Sequence, residues 1–240
     1  MSEENFQTSG MVIDLDKERI LREMGEAKLC FGRSTSRLHP KMKPYIIGAK
    51  NSQVIIDLEK TYDMLIKAKE FFQNLLKEHK TILFVNVNPA TNDITLEAAQ
   101  KTNNPYVINR WVGGLLTNFP EISKRIKYYN ELIQKNASGE LTKYTKKEQL
   151  KFQKELEDLA ELFSGVKDCA QLPDAIFVVG ARFHQTAIKE AQKMHIPIIA
   201  IVNTDTNIEG IDYPIVASDL HRSSVEYITN FLINGNSSNQ

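Results

Sequence analysis

Three runs of residues are apolar at every position: Ile82-Leu83-Phe84-Val85, Ala175-Ile176-Phe177-Val178-Val179 and Ile198-Ile199-Ala200-Ile201-Val202. A strand that is apolar on both faces must be covered on both faces, and segments with helical periodicity separate these runs. That combination predicts a parallel sheet with helices on each side, a three-layer α/β body. The expected elements are strands at 82–87, 106–108, 175–179, 198–202 and 215–216. Helices are expected from a Thr61 cap to about His79, then at 93–101, 185–194 and 219–232. Ahead of them, Tyr45-Ile46-Ile47 and Val54-Ile55-Ile56 flank Gly48 to Gln53 and predict a hairpin.

Between the strands at 106 and 175 the pattern changes. Ile122, Ile126, Tyr129 and Ile133 recur at 4-3-4 spacing, as do Phe152, Leu156, Leu159 and Phe163. Asn136 to Gly139 is a turn cluster, and Thr145 with Glu148 fits a capping box. Two short stripes joined by a turn predict an antiparallel helical hairpin inserted into the body and packed mainly on itself, a structural or partner-binding arm. The resulting division is an acidic N-terminal extension over 1–27, an α/β body over 28–120 and 164–233, the hairpin over 121–163, and a flexible tail over 234–240.

Lys plus Arg and Asp plus Glu both total 30, but the charges are unevenly placed. Residues 1 to 26 carry seven acids and three bases. No acid occurs from Ala27 to Ile56, where Lys28, Arg33, Arg37, Lys41, Lys43 and Lys50 lie. An acid-free stretch of this length is either a solvated face or a surface for an anionic polymer. Arg110-Trp111-Val112-Gly113-Gly114 offers a similar choice. The only Trp and two glycines make a tight turn with a core plug, or the glycines admit a close macromolecule while Arg110 meets a phosphate; both can hold.

Catalytic signatures are missing. The chain has no GxGxxG, GxxxxGK[ST], GxSxG or HExxH motif, and its five histidines never pair on one helical turn. Cys30 and Cys169 form no ligand spacing, which predicts a reducing compartment without structural zinc. No apolar run reaches membrane-span length, and the early acids argue against a transit peptide, so the chain is expected to be made where it works. No catalytic residue, cofactor, metal, membrane contact or small-molecule substrate is therefore expected.

The motifs Phe31-Gly32, Pro40-Lys41-Met42-Lys43-Pro44-Tyr45, Gly48-Ala49-Lys50-Asn51, Arg110-Trp111-Val112-Gly113-Gly114-Leu115-Leu116-Thr117-Asn118, Leu172-Pro173-Asp174-Ala175 and Ile211-Asp212-Tyr213-Pro214 occur in this order from about residue 28 to 232. Together they closely resemble the bacterial-type small-ribosomal-subunit protein two family. The resemblance implies a flavodoxin-like body with a coiled-coil insertion, and a non-catalytic role in the small ribosomal subunit with ribosomal RNA and neighbouring ribosomal proteins as partners. The residues expected at RNA are Arg33, Arg37, Lys41, Lys43, Lys50, Arg110, Trp111, Lys124, Arg125 and Lys127. Arg33 stands where the family has a His, and uncharged Asn88 to Asn92 replaces a basic loop. A composition of 22 Lys against 8 Arg with abundant Asn and Ile suits an AT-rich genome. It favours an organelle-encoded mitochondrial member over a plastid or bacterial one. The rival reading is a flavodoxin-like enzyme or nucleotide-binding protein that lost its glycine fingerprint.

Overall fold

A computed structural model of the chain describes residues 16–234. After a helix over 16–26 (α1) come β1 (Phe31–Ser34), β2 (Ile46–Lys50), β3 (Gln53–Ile56), α2 (Leu58–Lys77), β4 (Ile82–Val85), α3 (Asn92–Lys101) and β5 (Tyr106–Val107). The inserted helices α4 (Phe119–Ala137) and α5 (Lys146–Phe163) follow, then β6 (Ala175–Val179), α6 (Gln185–Lys193), β7 (Ile198–Val202), β8 (Tyr213–Val216) and α7 (Arg222–Ile233).

The five later strands form one parallel sheet in the order β5-β4-β6-β7-β8. Counted within this sheet alone the order is 2-1-3-4-5, the flavodoxin-like winding. The apolar runs divide by parity. Leu83, Val85, Ile176, Val178, Ile198, Ala200 and Val202 face a cluster that includes residues of α4, α6 and the end of α5. Ile82, Phe84, Ala175, Phe177, Val179, Ile199 and Ile201 face the opposite cluster, built on α1, α2, α3 and α7. Phe72, Phe84 and Phe177 meet edge to face in that second layer.

A separate antiparallel sheet, β1-β3-β2, precedes the body strands. Its hairpin turns at Asn51-Ser52, both with positive φ, as a two-residue type I′ turn requires. Strand β2 therefore runs through Gly48 and Ala49, which the sequence reading placed in the turn. Helix α2 is capped by Asp57, whose Oδ1 accepts from the Glu59 and Lys60 amides. Thr61, the expected cap, is buried one turn inside, and its hydroxyl donates to the Val216 carbonyl at 2.6 Å.

Two boundaries shift for reasons of packing. The acidic extension is in part body: Met24 is fully buried, and the Ala27 carbonyl accepts from the Ser223 and Ser224 hydroxyls. Its first fifteen residues, and the tail beyond 234, lie outside the described residues. At the other boundary, α4 and α5 form a hairpin, with Gly139 in the left-handed region at the turn and the Thr145–Glu148 capping box in place. The expectation that they pack mainly on each other fails at the base. Ile122, Ile126, Tyr129 and Phe163 are buried in the same cluster as the sheet residues Leu83 and Ile176.

Candidate nucleic-acid interface

In an open α/β sheet ligands bind beyond the C-terminal strand ends, where the winding reverses. Here that point lies between β4 and β6, and the chain's own groups fill it. The buried His184 ring accepts from the Val87 amide through Nε2 at 3.0 Å, which leaves the proton on Nδ1 to donate to the Gly180 carbonyl at 2.9 Å. Burial holds this imidazole below its ordinary pKa, against the opposing pull of the Gly180 bond and Asp219, in keeping with the acceptor role of Nε2. The preceding loop is tied to itself, since Asn86 Nδ2 donates to the Thr91 carbonyl and to the Thr91 and Thr95 hydroxyls. A phosphate entering this crevice would have to displace the imidazole. Cys169 is no alternative nucleophile: burial, then the neighbouring Asp168, pushes its thiol up to about 11.

The residues expected at RNA divide into three groups. Arg33 forms the first group and is turned inward. Its Nη2 donates to both oxygens of Asp219 at 3.1 Å, and its Nε lies 3.6 Å from Asp205. The side chain is only 16% exposed, with Asp219 at 4%. Asn203 also donates to Asp219 at 2.6 Å, and Arg182 shares Asp205. The acid-free window is acid-free only along the chain, because the partner acids arrive from the ends of β7 and β8.

The second group is outward but engaged. Lys41 pairs with Glu209, and Lys124 with Glu121 one turn away on α4. Trp111 is half-buried against the body core, with its Nε1 donating to Glu190 at 3.1 Å. The core-plug role of Trp111 is thus the one its geometry serves. The third group comprises Arg37, Lys43, Lys50, Arg110, Arg125 and Lys127, all exposed. Among the described residues none of these six has an ion-pair partner in the folded chain.

The apolar neighbours of most of these cations share one core cluster. Met42 beside Lys43, Leu38 beside Arg37, Trp111 and Val112 beside Arg110, and Ile122 and Ile126 around Arg125 all join the sheet-face cluster that carries α6. Lys50 stands apart at the tip of the β2–β3 hairpin. Segments of the window and of the hairpin base, about seventy residues apart in sequence, thereby pack into one core cluster.

Sequence reading missed the residue that shapes this side. Glu190 of α6 is 8% exposed, and both its oxygens are in use. Oε1 accepts from Trp111 Nε1 and the Gly114 amide, and Oε2 from the Leu116 amide, the Thr117 amide and the Thr117 hydroxyl, at 2.8 to 3.3 Å. Burial alone would raise this carboxyl; the bonds from Gly114, Trp111, Leu116 and Thr117 outweigh it and hold it below the ordinary range. Gly114, at φ +86°, makes the turn that aims these amides inward, whereas Gly113 has open space around it.

Residues 24–237 match the model of the family described as ribosomal protein S2. The small ribosomal subunit protein uS2 of Coprothermobacter proteolyticus is 42% identical over 209 residues, spanning 87% of this chain and 78% of the relative. The parallel sheet, its winding and the inserted hairpin lie within the matched span. On sequence match over most of its length, and with a fold to suit, the chain belongs to the ribosomal protein S2 family.

Proposed function

We propose that the protein docks on small-subunit ribosomal RNA through the exposed cations Arg37, Lys43, Arg110, Arg125 and Lys127, with Lys50 as an outlying contact, and performs no catalysis. As a member of the ribosomal protein S2 family it is a structural constituent of the small ribosomal subunit and serves translation. The observation that carries the docking surface is the set of exposed cations without ion-pair partners among the described residues, most of them next in sequence to residues of one core cluster. Phosphate neutralisation supplies affinity without base reading, and folded RNA is recognised largely by shape, so a rigid α/β body suffices. Lys41 and Lys124 are secondary contacts, available only by exchanging a carboxylate for a phosphate. The near-neutral total charge supports protein neighbours over the remaining surface.

The ribosome in question is a mitochondrial one in this reading, supported by 22 Lys against 8 Arg and the abundance of Asn and Ile. Purification of the tagged protein from its source, with sedimentation and analysis of what accompanies it, tests the reading. Small-subunit particles and ribosomal RNA in an organelle fraction are expected. A bound nucleotide on a free monomer would favour the flavodoxin-like rival.

A further inference from the structure

We propose that Glu190 is a positioning residue for RNA docking: its carboxylate fixes the Trp111–Thr117 loop in the shape that presents Arg110 and the base of α4 to phosphate. The inference rests on the docking surface described above and names the device that presets it.

The argument begins with the acceptor capacity of a carboxylate, about four lone-pair sites on two oxygens. Glu190 fills them with five donors drawn from one loop: the Trp111 indole, the amides of Gly114, Leu116 and Thr117, and the Thr117 hydroxyl. Among the described residues it has no Lys or Arg partner, so its charge is held by oriented N–H dipoles, as a bound anion is in a backbone nest. An apolar side chain of similar size could fill the space but would leave three amides without acceptors.

The position of the loop gives these bonds their functional meaning. Arg110 immediately precedes the first donor, and α4 begins at Phe119, two residues after the last. The five bonds therefore bracket the whole connection between an exposed guanidinium and the helix that carries Arg125 and Lys127. At the other end of the carboxylate, α6 is anchored by Ala187, Ile188 and Ala191 in the sheet-face cluster. The carboxylate fixes the polar side of a loop whose Trp111, Val112, Leu115 and Leu116 already pack in the same cluster, so that both cationic segments are prearranged before RNA arrives. Prearranged contacts avoid the ordering cost that a mobile loop incurs on binding.

Glu190→Gln tests this with little change in volume, because its NH2 group opposes N–H donors on one side. Binding to small subunits stripped of this protein is measured across a salt series, beside Arg110→Ala and the double variant. Expected for Glu190→Gln are a folded circular dichroism spectrum, about tenfold weaker binding, and a salt slope shallower by about one, as for Arg110→Ala. The double variant is expected to be no shallower than either single one. Trp111→Phe with Thr117→Val, which removes two side-chain donors without touching α6, is expected to act in the same direction and serves if Glu190→Gln does not fold. Weaker binding at an unchanged salt slope, in step with lost thermal stability, would reduce Glu190 to a structural residue and overturn the inference. So would unchanged binding. If Arg110→Ala, Arg125→Ala and Lys127→Ala all keep the wild-type slope, the docking surface itself is wrong; altered slopes for those three with wild-type behaviour for Glu190→Gln refute the positioning role alone.

Discussion

Replacing Arg33 by Met separates an internal ion pair from an RNA contact. The side chain is 16% exposed and Asp219 4%, so both charges are largely desolvated. Removing one partner of a buried pair costs roughly 3 to 5 kcal/mol, mostly through the charge left behind. Asp219 would keep its 2.6 Å bond from Asn203, and Asp205 its 2.5 Å bond from Arg182. The lower end, about 3 kcal/mol, is therefore expected. For a chain of this size each kcal/mol moves the melting temperature by about 2 to 4 °C, so Arg33→Met should melt about 6 to 12 °C lower. Arg33→Met with Asp219→Asn removes the orphaned charge and should recover part of the loss, a coupling of about 0.5 to 3 kcal/mol. Urea and thermal unfolding of the four proteins give the cycle, and salt-dependent docking to stripped small subunits is measured at a temperature where all are folded. Wild-type stability with a docking slope shallower by about one would refute the reasoning and return Arg33 to the RNA-facing set.

Three further outcomes follow from the same geometry. His184 has a lowered pKa, so its contribution to stability is complete above about pH 6.5 and is lost as pH falls toward the folded value; urea midpoints of wild type and His184→Gln should converge between pH 7.5 and 5.5, and a constant gap would mean that the ring is not held neutral. Gly114→Ala forces a side chain to φ +86° with Asn118 at 3.3 Å and should cost more than about 1 kcal/mol in thermal unfolding, while Gly113→Ala should cost nothing measurable; equal effects would contradict the turn geometry. Excising 134–155 with a Gly-Ser closure should leave a folded body, whereas excising 124–159 removes Ile126 and Tyr129 from the core and should cost about 5 kcal/mol or more by circular dichroism melts; equal melts would show the whole hairpin to be an appendage.

The legible parts of the sequence were those governed by local pattern. The bounds of β6 and β7 follow from runs apolar at both parities, and the start of α5 from a capping box spanning four residues. Elements defined by distant partners were not legible. Strand β1 has no apolar run and exists because Phe31 and Ser34 pair with Ile55 and Gln53. Helix α1 looked like an acidic leader because its buried positions, such as Met24, are few and its acids face out. The site divides in the same way. Cationic density was visible, yet whether a cation is free depends on folding: Asp219 is 186 positions from Arg33. Glu190 lay in an unremarkable amphipathic helix, and its donors come from a loop more than seventy positions earlier. The Gly113-Gly114 pair was the available signal, since a glycine turn beside a Trp implies something inside that the backbone faces.

Site-specific photo-crosslinking in intact small subunits tests the docking surface most directly. Benzoylphenylalanine is placed in turn at Lys43, Arg110 and Lys127, and as a control at Lys77, an exposed residue at the end of α2 in the opposite layer. Crosslinks from the first three positions to small-subunit ribosomal RNA, with none to RNA from Lys77, are the predicted result. Crosslinks from the three positions to protein alone, or equal RNA crosslinking from Lys77, would contradict the assignment of this side of the body to RNA.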